Sequence, residues 1–260
     1  MSYSAGLVFN DGFEDGTTNK WAQDDFRDKC TVVSSALDGG SGPQTGTKMA
    51  QCNWNGTLAW NAASRFEVLY LTNWSYTTET FLRWWVRVDT DLAGGNGPKY
   101  FRIGLSNFGV TDSYSGLLPG GATLVLYGDN AQQIGTTFWG GGSSLRNGSW
   151  HKVELYLKEH SSTGTVRLWE DDVQLYQAID INTDPGLTWA RFFISSNWSG
   201  AEGCCDHDAS NHIYWDEFEI YSDTGTGATG SMSDGDITVE SIPFAPSVLT
   251  VGSLVQGAQF

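Results

Sequence analysis

The stretch KYFRIGLSN, residues 99–107, alternates polar and apolar side chains, so Tyr100 and Arg102 share one side of an extended chain and Phe101 and Ile103 the other. A tyrosine phenol can remove a proton beside a carboxylate once that carboxylate is neutralised by a guanidinium or an amide. Tyr100, Arg102 and Asn107 supply phenol, guanidinium and amide in one short run. The same side chains suit a second task, because flat aromatic rings stack on the apolar faces of sugars while Arg and Asn hydrogen-bond to hydroxyls. Upstream, FLRWWVRV (81–88) alternates likewise, with Phe81, Arg83, Trp85 and Arg87 on one side and Leu82, Trp84, Val86 and Val88 on the other. Arg83, Trp85, Arg87, Tyr100 and Arg102 are therefore expected to form one aromatic and cationic platform. Trp139, and Asn197 with Trp198 in SSNWSG, are further candidates for sugar contact. Most of the 12 tryptophans must nevertheless serve packing, since each carries so much area to bury.

The elements that would position these residues are strands. Period-2 alternation predicts strands over 7–10, 31–35, 48–51, 64–71, 80–88, 100–105, 123–127, 136–139, 150–158, 165–170, 174–179, 191–196 and 212–221. Turn-forming runs such as DGGSGPQTG, DLAGGNGP, GGGSS and NTDPG separate them. No window carries apolar residues at helical spacing, so the expected fold is all-β, two antiparallel sheets packed face to face. In SWHKVELYLK, Val153, Leu155 and Leu157 belong to the core side and Lys152, Glu154 and Tyr156 to the other. In HIYWDEFEIY, Tyr214, Asp216, Phe218 and Ile220 share the core's parity, which makes Asp216 a carboxylate in need of donors or a cation. The β-sandwich is expected over residues 1–222. A Gly/Ser/Thr/Asp linker follows at 223–236, and an apolar arm at 237–260 is suited to docking on another subunit.

Composition narrows the partners. Thirty acids against 14 bases give a net charge of −16, which disfavours nucleic acid and anionic membranes. No run approaches a membrane span, and the opening MSYSAGLVFNDG lacks the basic and apolar regions of a signal peptide. An extracellular or virion-surface location is expected, a virion subunit being one that needs no export signal. Of the four cysteines, Cys30 and Cys52 are expected to pair, while Cys204 and Cys205 either cross-link a loop or stay reduced. The spacing does not suit zinc. The sequons at Asn55, Asn73, Asn147 and Asn197 are ordinary chance occurrences in a chain this rich in Ser and Thr.

Several of these segments resemble one superfamily. GSWHKVELYLKEHSSTGTVRLWEDDVQLYQ followed by NHIYWDEFEIYS, with Gly148, Trp150, His151, Trp215, Asp216 and Glu217, is similar to the concanavalin A-like or laminin-G-like jelly roll. The opening VFNDGFEDG resembles the N-terminal motif of jelly-roll carbohydrate-binding modules. That resemblance implies a structural Ca²⁺ held by Glu14 and Asp216, with backbone carbonyls near Lys48. KYFRIGLSN is also similar to the Y-F-K-A-G-x-Y-x-Q strand of alginate lyases, which would make Tyr100 and Arg102 catalytic. Here, however, the later Tyr and the Gln have no counterpart at their spacing, Asn107 being the nearest amide, and Gly135 stands where a His is expected in QQIG. WDEFEIY lacks the Asp that a retaining glucanase places between its two carboxylates. The sequence thus points to a non-catalytic, secreted or virion-surface protein, such as a capsid decoration, tail or fibre component, with a jelly roll that binds carbohydrate. The alternative is a lyase acting on a uronate-containing glycan. The expected partners are polysaccharide and, through the arm, virion subunits or further copies of the chain.

Overall fold

The computed structural model describes residues 6–21, 30–36, 40–53, 67–72, 78–88, 101–105, 112–118, 121–127, 133–138, 147–181, 183, 189–195 and 212–223. These residues form fourteen strands and no helix: β1 (Gly6–Asp11), β2 (Cys30–Val33), β3 (Met49–Asn53), β4 (Glu67–Thr72), β5 (Glu79–Val88), β6 (Phe101–Leu105), β7 (Asp112–Leu118), β8 (Gly121–Tyr127), β9 (Gln133–Phe138), β10 (Trp150–Lys158), β11 (Gly164–Glu170), β12 (Val173–Ile181), β13 (Trp189–Ser195) and β14 (His212–Ser222). The first sheet has eight strands, in the order β12-β11-β10-β5-β14-β3-β2, with β1 also paired to β14. The second has six, in the order β4-β13-β6-β7-β8-β9. Every pairing is antiparallel.

The alternation in β5 and β10 decides which face closes the sandwich. Leu82, Trp84, Val86, Val88, Val153, Leu155 and Leu157 are buried together with Val166 and Leu168 of β11 and Ile213, Trp215, Phe218 and Ile220 of β14. Phe192 of β13 reaches this cluster from the second sheet, its ring 5.3 Å from Trp84 and 4.7 Å from Phe218. Phe9, Phe13 and Trp21 close the β1 end, with Trp21 edge-on to Phe218 at 5.1 Å. Truncating a side chain as enclosed as Trp84 costs about 3–5 kcal/mol.

Three local features depart from the simple pattern. Strand β7, DSYSGLL, carries too few apolar residues to announce itself, and its ladders with β6 and β8 make it a strand. In β14 the register with β5 shifts between Asp216 and Glu219, and Glu217 takes a φ of 47°. This bulge reverses the alternation. Ile213 and Trp215 enter the core before it and Phe218 and Ile220 after it, so neither Tyr214 nor Asp216 shares their face as uniform alternation predicts; Asp216 is opposite Trp85. Finally, Cys30 and Cys52 sit directly opposite each other in the β2–β3 ladder and form a disulfide. The expected linker and arm, from residue 224 onward, lie outside the described residues.

Candidate functional site

The outer face of the first sheet holds Arg83, Trp85 and Arg87, and the structure gives both arginines internal work. Arg83 donates from Nε to Glu219 Oε2 at 2.8 Å, makes a second, closer contact to the same oxygen through Nη2, and reaches the Tyr221 hydroxyl at 3.2 Å. Burial opposes its charge, but Glu219 alongside outweighs that and holds the guanidinium above its usual range. Glu154, directly across the β10–β5 ladder from Arg83, has its carboxyl pushed up by burial. Arg87 is 1% exposed and lies 4.3 Å over the Tyr214 ring, its cross-strand neighbour. Phe81 packs with Tyr156 and Tyr221 in a small second cluster, against Leu7 and Trp169. Trp85 is half-buried between Lys152 and Asp216 in the ladder. This side of the sheet is a packed aromatic layer rather than a wet surface.

The expected single platform is not formed. Trp84 faces the second sheet, so Trp85 is on the side turned away from it, whereas β6, which carries Arg102, belongs to that second sheet. Arg83, Trp85 and Arg87 therefore share no face with Arg102. The physical reason is connectivity: the chain leaves one layer after β5 and enters the other at β6, and alternation along a strand carries no information about its layer. Tyr100, Asn107, Trp139, Asn197 and Trp198 lie outside the described residues.

What β6 does gain is a set of neighbours that the alternation alone did not single out. Phe193 of β13 stands opposite Tyr70 of β4 and Arg102 of β6, and Arg102 stands opposite Tyr114 of β7. Tyr70, Phe193, Arg102 and Tyr114 thus make one cross-strand row, spanning about 14 Å over four strands. Phe192, one residue away, belongs to the face buried against Trp84, so the register positions of this row have the opposite parity. Arg191 has the same parity as Phe193 and pairs with Thr72 and Gly104. The six strands carry Arg102 and Arg191 against Glu67 and Asp112, hence no net charge, in a chain of net −16. Arg191 had a signal, the alternation in WARFFIS, whereas DSYSGLL carries too little alternation to single out Tyr114, and nothing in the sequence said which strands flank β6.

A third group surrounds the loop before β3. Glu14 accepts from the backbone N–H of Thr47 at 2.8 Å, from that of Lys48 at 2.9 Å and from the Thr47 hydroxyl at 2.8 Å. Slight burial raises the Glu14 carboxyl, but these bonds outweigh it and hold it below its usual range. Asp216 Oδ2 accepts from Gln44 N at 2.9 Å and Thr45 N at 3.2 Å, while Oδ1 accepts from Glu217 N at 2.9 Å. Glu217 contacts the Thr45 hydroxyl closely. Gly46, at a φ of 59°, leaves no room for a side chain: a Cβ there would collide with the Glu14 carboxylate. The loop is thus clasped by three carboxylates. Asp216 is fully buried, and burial pushes its carboxyl up to about 7 despite the three N–H donors.

The fold is an all-β, two-sheet antiparallel sandwich of the concanavalin A-like jelly-roll class. No family model matches the sequence, and no curated protein matches it. Solved structures do resemble it. An endo-β-1,4-glucuronan lyase from the fungus Trichoderma reesei is similar at TM-score 0.60 and 14% identity, covering 83% of this chain and 95% of that one. A PL-14 alginate lyase from Aplysia kurodai is similar at TM-score 0.56 and 13% identity, covering 83% and 99%. The cellulose-induced protein Cip1 is similar at TM-score 0.55 and 13% identity, covering 82% and 96%.

Proposed function

We propose that this protein binds an acidic, uronate-containing polysaccharide on the outer face of its second sheet. One observation carries the reading: Tyr70, Phe193, Arg102 and Tyr114 occupy a single cross-strand row, with Arg191 two residues along from Phe193 on the same face. Aromatic rings in such a row stack on sugar faces, and two guanidiniums take carboxylates in bidentate fashion. The absence of net charge on these strands suits an anionic polymer better than the chain's overall −16. Likeness to a glucuronan lyase and an alginate lyase supports a uronate as the sugar class.

A second reading, lyase activity, is favoured by the direct pairing of Arg102 with Tyr114. In it Arg102 neutralises the uronate carboxylate and Tyr114 removes the proton on the adjacent carbon. The electron pair forms a carbon–carbon double bond and expels the glycosidic oxygen, which takes up a proton. Calcium belongs to the proposal as a structural group: Glu14 and Asp216, with backbone carbonyls near Lys48, would hold it, and it would fix the 44–48 loop without entering the chemistry. The protein acts outside the cell, and assembly with other subunits, including those of a virion, would run through the arm at 237–260.

Affinity electrophoresis in gels containing glucuronan, alginate or neutral β-glucan tests the binding, and ultraviolet absorbance of the unsaturated product tests the elimination. Retardation by the uronate polymers alone, without product, establishes binding; product lost in Tyr114→Phe establishes the lyase. Migration unaffected by every polymer, with no product, overturns both.

A further inference from the structure

Outside the two sheets' outer faces, one cluster converges on a single point. His151, the second residue of β10, brings Nδ1 within 2.7 Å of Asp171 Oδ2 and 3.5 Å of Glu170 Oε1. These three atoms all lie within 4.8 Å of one another. Glu170 closes β11, and Asp171 with Asp172 forms the two-residue turn into β12. Both turn residues have positive φ, 49° and 66°, as a type I′ turn requires. The β10 backbone clamps this turn from the side: Asp171 N donates to Lys152 O, and Lys152 N donates to Asp171 Oδ1, each at 2.9 Å.

The other ring nitrogen settles what the cluster wants. His151 Nε2 is 3.0 Å from Asn147 Oδ1, and that oxygen also accepts from the backbone N–H of Ser149 at 2.7 Å. Because a backbone N–H already points at it, the Asn147 atom is the oxygen, and Nε2 must carry a hydrogen. In the neutral ring, Nδ1 then directs its lone pair at two carboxylate oxygens. Three electron-pair donors facing one another need a positive charge between them. That charge is a proton or a metal ion.

We propose that His151, Glu170 and Asp171 bind a divalent transition-metal ion of the zinc type. An imidazole with two carboxylate oxygens is a borderline donor set that suits Zn²⁺ and disfavours Ca²⁺ or Mg²⁺. The His151 and Glu170 side chains are 6% and 7% exposed, so two ligands are held in place, while the Asp171 side chain is 46% exposed and leaves an approach from solvent. Asn147 on Nε2 and Lys152 N–H on Asp171 Oδ1 are the outer partners that fix ligand orientation in metal sites. Two carboxylates and a dication sum to zero, and any proton held at Nδ1 leaves to solvent on binding. The site is at the β11–β12 turn of the first sheet, so it clamps that turn and takes no part in the polysaccharide face of the second. It is also separate from the carboxylates around residues 44–48, which lack a nitrogen ligand.

Full-length protein, free of any affinity tag, is stripped with chelator and titrated with Zn²⁺ by calorimetry in excess Ca²⁺, with Co²⁺ absorption as the coordination signature. One Zn²⁺ per chain is expected. Asp171→Asn, which an αL position tolerates, should weaken it at least tenfold, and His151→Gln should abolish it and the Co²⁺ bands. Asp180→Asn, at an exposed carboxylate of β12, should leave it unchanged. Absence of Zn²⁺ binding in the wild type overturns the proposal and leaves a proton in the position. So does a Zn²⁺ affinity that Asp171→Asn, folded by circular dichroism, leaves intact.

Discussion

Asp216 offers the sharpest test of how the clasp around residues 44–48 is held. Its carboxyl is displaced from an ordinary 3.8 to about 7, chiefly by burial. Between those values the native chain keeps a proton that the unfolded chain has released, so stability falls as pH rises through the window. One proton contributes about 1.4 kcal/mol per pH unit, and roughly three units give about 4 kcal/mol. For a domain of this size that is a drop of about 10 °C in melting temperature. Glu14 acts with the opposite sign, because its carboxyl is held below its usual range and its contribution is lost as pH falls through that depressed value. Comparing wild type with Asp216→Asn cancels the Glu14 part. The assay is urea unfolding between about pH 4 and 7.5, in chelator and again in excess Ca²⁺. In chelator the wild type should lose stability relative to the variant as pH rises. The intercept is not the test, because Asn places an amide against an N–H donor, but the slope is. Calcium should remove the slope by taking the proton's place on the carboxylate. Parallel curves in chelator would refute the desolvation argument, and a calcium effect that persists undiminished in the variant would remove Asp216 from the ligand set.

Other outcomes follow from the same structure. A double-mutant cycle on Arg83→Met and Glu219→Gln, read by denaturant unfolding, should return a coupling of about 1–3 kcal/mol, since the pair is mostly buried and doubly bonded. Cys30→Ser should cost about 3 kcal/mol, the loop-closure value for a separation of 22 residues, measured under non-reducing conditions. Deleting residues 224–260, which keeps Asp223 and its bonds to Thr78 and Glu79, should convert any assembly to monomer in light scattering; an unaltered oligomeric state would dismiss the docking arm.

The sandwich was legible because the intersheet core rests on alternation. Leu82, Trp84 and Val86, and Val153, Leu155 and Leu157, announce the buried side of two central strands, and both sets are buried where the pattern puts them. The site was less legible for two physical reasons. Alternation assigns a residue to a side of its own strand but not to a layer, so Arg83 and Arg102 looked like companions although their strands belong to different sheets. A bulge costs one residue and leaves no compositional mark, so the reversal at Asp216–Glu217 that separates Tyr214 from Phe218 could not be anticipated. Pairing partners, too, are non-local: Tyr114 and Arg191 flank Arg102 only because β7 and β13 are the neighbours of β6.

The most direct measurement compares two pairs of surface variants on a glucuronan affinity gel. Arg102→Ala with Arg191→Ala should abolish retardation, a loss of at least tenfold in affinity, while Trp85→Ala with Arg83→Met should keep it within about twofold. Retention by the first pair together with loss in the second would place the polysaccharide on the first sheet and contradict the account.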